Sequence, residues 1–229
     1  VIPYYGYSRQ DKKTLAREPI SARLVADMIK VAGADRILTM DLHAGQIQGF
    51  FSGPVDHLTA VPLLASYISR HFQGDLVIVS PDAGRVKMAK KYADYLGVPI
   101  AILHKRRPGH NEAEVLHVVG EVRGMTAVLV DDMIDTAGTL AASSQALMEA
   151  GAAEVYACAT HGIFSGPAKE RVDASPLKRV VVTNTLPIPE ERLSHKVEVI
   201  SIASIFANTI ASVFKDESVS ELFGGNNQP

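Results

Sequence analysis

Thr126-Ala-Val-Leu-Val-Asp131-Asp132-Met-Ile-Asp135-Thr136-Ala-Gly138-Thr139-Leu140 is the stretch on which the reading of this chain turns. An apolar run, Ala127 to Val130, ends in two adjacent carboxylates. A turn of small residues follows from Thr136 to Thr139, and then a helical pattern from Leu140 to Ala150, closed by Gly151. Strand, loop and helix start in this order form an α/β unit. Loop amides and the positive end of a helix dipole suit a phosphate, and ligands favour the carboxyl ends of strands in such sheets. Gly138 is expected to let the backbone approach the anion, with Thr136 and Thr139 adding hydroxyl donors. Carboxylates repel phosphate, so Asp131 and Asp132 must serve sugar hydroxyls or a cation. A plainer alternative stays open, in which the Asp pair is a common strand ending and Thr-Ala-Gly-Thr merely caps a helix.

Outward from this unit, short apolar runs alternate with amphipathic helices. The expected strands are Ile37–Met40, Leu76–Val79, Ile100–Leu103, Ala127–Val130, Val155–Ala159, Val180–Val182 and Val197–Ile202. They are β-branched and apolar on both faces, as buried parallel strands are. Between them, Ile20, Leu24, Val25, Met28 and Ile29 form a helical stripe, and Val61–Phe72, Arg85–Leu96 and Leu140–Ala150 read as three further helices. The fold class is therefore α/β with mainly parallel sheets. Turn residues from Phe51 to Leu58 suggest a domain boundary, and Gly224–Pro229 reads as a disordered tail. No tandem repeat is evident.

The chain has 229 residues, 47% hydrophobic, with a net charge of −2. That is ample for a buried core, and it gives no electrostatic case for nucleic-acid or membrane binding. The single cysteine, Cys158, lies in an apolar run and reads as a small core residue in a reducing compartment. No apolar run approaches membrane-spanning length, and no signal peptide is visible. The opening Val1-Ile2-Pro3-Tyr4-Tyr5 reads like the inside of a strand, so a preceding segment is expected.

Five further constellations stand out. Three cations within Arg9–Lys13 follow an aromatic cluster, which suits a polyphosphate and a purine, or equally a solvated loop. Asp41 and His43 alternate off a strand end, so both are expected on one face, as cation ligands or as a satisfied buried histidine. In Ser80-Pro81-Asp82-Ala83-Gly84-Arg85 a strand ends in an Asp before a helix, and Ser80 or Asp82 can serve as N-cap. His104-Lys105-Arg106-Arg107-Pro108-Gly109-His110-Asn111-Glu112 reads as a mobile cationic loop able to close over a transferring phosphoryl group, or as a bland hairpin. Thr160-His161-Gly162, followed by Ser165-Gly166-Pro167, reads mainly as turn and helix start, with strand-end His161 available to a ligand or a neighbouring subunit.

Taken in order, Asp41-Leu-His43, Ser80-Pro-Asp82-Ala-Gly84, the cationic segment, the Asp131-Asp132 loop and Glu217–Phe223 resemble the ribose-phosphate pyrophosphokinases over nearly the whole chain. The resemblance implies two similar α/β halves of the type I phosphoribosyltransferase kind, the first lacking its N-terminal part. Residues 1–57 would be the remainder of the first half, on the ATP and metal side. Residues 58–214 would be the second half, on the ribose 5-phosphate side, and 215–229 a tail that can pack on the first half. By resemblance the reaction moves the diphosphoryl group of Mg-ATP to the 1-hydroxyl of ribose 5-phosphate, giving PRPP and AMP. Alternatives are a noncatalytic regulatory homologue and a type I phosphoribosyltransferase that consumes PRPP.

The same resemblance implies roles for single residues. Arg9 and Gln10 would contact ATP. Asp131 and Asp132 would hold the ribose hydroxyls, while Asp135, Thr136, Ala137, Gly138 and Thr139 hold its phosphate. Lys105 and Arg107 would be catalytic, with Arg107 also touching ribose 5-phosphate. Mg2+ would meet His43 and Asp82, with Asp41 and Asp56 as weaker candidates; Ser52 stands where the family often has an acid. A cytoplasmic homo-oligomer, by family resemblance a hexamer, is implied. Part of the ATP pocket would come from residues preceding Val1, which bears on whether this chain alone is active.

Overall fold

The computed structural model describes residues 1–106 and 115–220. Its strands are β1 (Ile37–Met40), β2 (Val55–Leu58), β3 (Leu76–Ser80), β4 (Ile100–Arg106), β5 (Val115–Val119), β6 (Thr126–Ile134), β7 (Glu154–Gly162), β8 (Arg179–Thr183) and β9 (Val197–Ile200). The helices are α1 (Ser21–Val31), α2 (Val61–His71), α3 (Val86–Leu96), α4 (Gly138–Glu149), α5 (Ala168–Ala174) and α6 (Ala203–Phe214). The chain forms two compact units, Val61–Ile200 and a discontinuous one of Val1–Ala60 with the segment from Ser201 onward.

The larger unit is built on a seven-stranded sheet of order β5-β4-β3-β6-β7-β8-β9. Every neighbouring pair is parallel except β4 with β5. Its central strands are apolar on both faces because helices cover both; Val77, Ile78, Val128, Val130 and Val155 are fully buried. The core includes Val79, Leu103, Leu129, Ala157, Leu147 and Val172. Such burial, at about 25 cal/mol per Å² of apolar surface, is the main term holding the sheet and helices together. At the C-terminus of α3, Gly97 adopts φ +69, the left-handed conformation that ends a helix by turning the chain back. Because β3 and β6 are parallel neighbours, in register from Leu76 with Thr126 to Val79 with Leu129, their carboxyl ends finish at the same edge. That adjacency positions the site.

In the smaller unit β1 and β2 pair in parallel, and Ile2 bridges to Thr39 beside them. Tyr5, Ala22, Leu42 and Ile47 form one buried cluster, with Val25 and Ile29 of α1 packed against it.

Several expectations are corrected. Leu24 and Met28 of the predicted α1 stripe are 58% and 62% exposed, and the helix buries Ala22 and Ala26 instead. The Phe51–Leu58 stretch is not all turn, because Val55–Leu58 pairs as β2 despite its polar Asp56 and His57. The cationic segment does not begin as a loop at His104: β4 runs on to Arg106, held in antiparallel register by β5. Strand β9 stops at Ile200, because Ile202 caps α6. The expected mobile loop through Arg107–Glu112 and the expected disordered tail lie outside the described residues.

Candidate functional site

The acidic pair lies near the end of β6. Asp132 is 2% exposed, whereas the Asp131 side chain is 32% exposed. The Asp131 carboxylate accepts the Asp132 amide at 2.8 Å, which fixes its rotamer. Burial pushes the Asp131 carboxyl well above the ordinary carboxylate range, and the hydrogen bond and charge of Asp132 add to the rise. Arg85 opposes it. Its guanidinium reaches across from the end of β3, with Nε 3.3 Å from Asp131 Oδ1 and Nη2 3.1 Å from Asp132 Oδ1. Sequence reading missed Arg85 as a partner of this pair, since nothing local to Asp82-Ala-Gly-Arg85 points to residues on another strand.

Beyond the pair, Ala137 takes φ +56 and α4 begins at Gly138. A left-handed residue followed by helical ones turns successive amides to a common side, the nest that binds anions. No side chain caps α4. Thr136 and Thr139 are exposed. Asp135 is tied from below: the Ser165 hydroxyl donates to its carboxylate, and the Ser165 amide donates to its carbonyl at 3.1 Å. The Ser165 turn, read mainly as structural, thus supports the loop that leads from Asp135 into α4.

Arg171 of α5 was not anticipated either. Its Nη1 donates to the Thr136 carbonyl at 2.9 Å, and a Cβ added to Gly138 would lie 3.3 Å from that nitrogen. A further reason for glycine here stands beside the expected close approach of an anion. The left-handed residue is Ala137, and the space beside Gly138 holds a guanidinium. Cations ordinarily avoid helix N-termini; an anion bound there would reconcile Arg171 with the start of α4.

Asp82 is the N-cap of the turn Ala83–Arg85, accepting the Arg85 amide at 3.0 Å. Ser80 is not the cap: its hydroxyl donates to the Asp82 carbonyl at 2.7 Å and is fully buried. Lys105 lies in β4 opposite Leu116, and Arg107 lies outside the described residues.

In the smaller unit, Arg9 and Gln10 are exposed on a turn that begins at Tyr7, itself at φ +63. Tyr5 of the aromatic cluster is not available to a purine; it is buried and donates to the Ala22 carbonyl at 2.9 Å. The strand alternation expected to carry Asp41 and His43 to one face breaks at once. Strand β1 ends at Met40, and Asp41 takes φ +39 while its carboxylate accepts the Ala60 amide at 2.9 Å. His43 is half-buried. Both Asp56 oxygens face Arg36, one from Nε and the other from Nη2 at 2.9 Å, which makes Asp56 an ion-pair residue. Among the described residues no three His, Cys, Asp or Glu side chains group to hold a metal. His161 is buried against Thr185 Oγ1 at 2.9 Å, so it is a satisfied core histidine. Cys158 is buried, and burial raises its thiol far out of the reactive range.

Comparison with known proteins fits this geometry. A model of the phosphoribosyl synthetase-associated domain matches residues 108–224, and a model of the N-terminal domain of ribose phosphate pyrophosphokinase matches residues 1–33. A ribose-phosphate pyrophosphokinase of Caldanaerobacter subterraneus subsp. tengcongensis is 55% identical over 224 residues, covering 97% of this chain and 71% of the relative. The chain belongs to the ribose-phosphate pyrophosphokinase family. The pyrophosphokinase of Clostridium tetani is 52% identical over 226 residues, with 97% and 71% covered. The crystal structure of phosphoribosylpyrophosphate synthetase from Mycobacterium smegmatis superimposes with a TM-score of 0.87 at 53% identity, covering 93% of this chain and 70% of that one. The α/β, mainly parallel fold expected of a pyrophosphokinase is the one observed.

Proposed function

We propose that this chain transfers the β,γ-diphosphoryl group of ATP to the 1-hydroxyl of ribose 5-phosphate, giving PRPP and AMP for nucleotide biosynthesis. The observation that carries the reading is the acidic pair Asp131-Asp132 beside an uncapped helix N-terminus with a nest at Ala137. A sugar phosphate has the matching halves: vicinal hydroxyls to donate to carboxylates, and a dianion to accept from amides. Asp131 and Asp132 hold the ribose 2- and 3-hydroxyls, and residues Asp135 to Thr139 hold the 5-phosphate. Holding both ends of the sugar orients its 1-hydroxyl, and positioning of this kind carries much of phosphoryl-transfer catalysis. By family resemblance Arg9 and Gln10 bind ATP, and Lys105 and Arg107 neutralise charge that develops during transfer.

Magnesium belongs to the same proposal, with His43 and Asp82 as its contacts. Asp82 caps the turn after β3 with one oxygen on the Arg85 amide, and Asp56 is paired with Arg36. So sparse a donor set fits a magnesium that arrives with substrate phosphates and keeps waters, rather than one caged by protein alone. When bound, the ion supplies charge neutralisation of the polyphosphate. No helix among the described residues is long and apolar enough to cross a membrane; a cytoplasmic homo-oligomer, hexameric in the family's manner, completes the reading.

The test is ³¹P NMR of the enzyme with Mg-ATP and ribose 5-phosphate. AMP and PRPP should appear together and only with magnesium. ADP with ribose 1,5-bisphosphate, or consumption of added PRPP without use of ATP, would overturn the reading.

A further inference from the structure

Two adjacent carboxylates, one of them 2% exposed, are an unstable arrangement alone. Like charges so close would take up a shared proton and spend acceptor capacity on each other. Arg85 opposes this by geometry. Its planar fork places Nε on one carboxylate and Nη2 on the other, at 3.3 Å and 3.1 Å. A lysine, with a single charged nitrogen, would not span both in this way. The arginine is not a solvated surface charge, since its side chain is 17% exposed. Its backbone is fixed as well, through the Arg85 amide on the Asp82 carboxylate at 3.0 Å. Both ion-pair contacts use Oδ1 atoms. A carboxylate offers about four lone-pair sites, more than one guanidinium contact fills.

We propose that Arg85 is a positioning residue for ribose 5-phosphate: it holds Asp131 and Asp132 side by side as acceptors for the vicinal ribose hydroxyls. The proposal rests on the substrate reading above, and it assigns to Arg85 no contact with the reacting atoms.

The experiment measures KM for each substrate in the assembled enzyme carrying R85A, R85Q or R85K. Loss of a charge-assisted pairing predicts a roughly 10- to 100-fold rise in KM for ribose 5-phosphate in R85A, with KM for ATP changed by less than about twofold. R85K should recover part of the loss. Guanidinium chloride at tens of millimolar should recover part of it in R85A, where equal sodium chloride does not. In a D132N background R85A should add less than about threefold, because the partner through which Arg85 acts is already impaired. If R85A does not fold, R85Q reads the same effect with the side-chain bulk kept. An unchanged KM overturns the proposal. So does a lowered one, which would make Arg85 a competitor for the pair. A rise shared equally by ATP and ribose 5-phosphate, rescued by neither R85K nor guanidinium, also overturns it. Wild-type enzyme that forms no PRPP is a different failure, that of the substrate reading itself.

Discussion

Replacing Asp131 with asparagine should stabilise the free protein at neutral pH while weakening its hold on ribose 5-phosphate. Burial first, then the hydrogen bond and charge of Asp132, raise the Asp131 carboxyl, against the pull of Arg85. A carboxyl whose folded pKa lies above its unfolded value binds more protons in the folded state between the two. Stability therefore falls as pH rises from the unfolded value of about 3.9 through the folded one, and it stays low above that. Asparagine keeps the volume and the oxygen that accepts the Asp132 amide at 2.8 Å, without the charge. What is lost is the Arg85 contact at 3.3 Å on a side chain 32% exposed, and such pairs are worth about 0–1 kcal/mol. What is gained is relief of two contacting carboxylates, which repel by roughly 4 kcal/mol at an effective dielectric near 20 before the arginine offsets part of it. A net gain of about 1 kcal/mol is expected, or about 2–4 °C in Tm for a protein of this size. Differential scanning calorimetry from pH 5 to pH 8 should show the D131N advantage growing with pH and shrinking toward the acid end, where more of the folded-state Asp131 holds its proton. Calorimetric titration should show weaker ribose 5-phosphate binding in the same variant. If D131N melts lower than wild type at neutral pH, or if the gap is independent of pH, Asp131 is a net stabilising ion-pair partner and the electrostatic reasoning fails.

Lys105→Ala should lower kcat by more than about 100-fold with little change in ribose 5-phosphate binding, because the lost charge acts mainly in the transition state; a raised KM with kcat intact would make it a ground-state binder. Asp132→Ala and Gly138→Val should both weaken ribose 5-phosphate binding and leave ATP affinity nearly constant, the second because valine displaces the Arg171 guanidinium 3.3 Å from the new Cβ. Free ribose separates them: its binding should fall in Asp132→Ala and hold in Gly138→Val, and the reverse pattern would show the two ends of the sugar to be assigned backwards. Lys196→Met should lower Tm by several degrees without altering either KM, since its Nζ donates to the carbonyls of Val172, Asp173 and Ser175 at 3.3, 3.0 and 2.7 Å at the end of α5; an unchanged Tm would show these carbonyls to be satisfied by water.

Much of this protein is legible in its sequence because the relevant physics is local. Runs such as Val77–Val79 and Val128–Val130 are apolar on successive residues and rich in β-branched side chains, as strands covered on both faces are. Glycines such as Gly97 and Gly151 mark helix ends through their positive φ. The order of acidic pair, small turn and helix start at Asp131–Thr139 is readable as strand end, loop and helix start with no tertiary information, and it is the order from which the proposed sugar-phosphate site is argued. Local physics also failed in identifiable places. Strand β2 carries Asp56 and His57 and exists because β1 lies beside it, not because its composition demands a strand. The alternation through Asp41 ends because the Ala60 amide draws its carboxylate out of line. Arg85 meets the carboxylates near the end of β6, and Ser165 and Arg171 meet the loop beyond it, only because the order β4-β3-β6-β7 sets β3 and β7 on either side of β6, and no short window of sequence contains that order. Residue type and spacing determined the chemistry on offer; the crossovers between strands decided which charges meet, because pairing across a sheet depends on neighbours brought together by the whole chain.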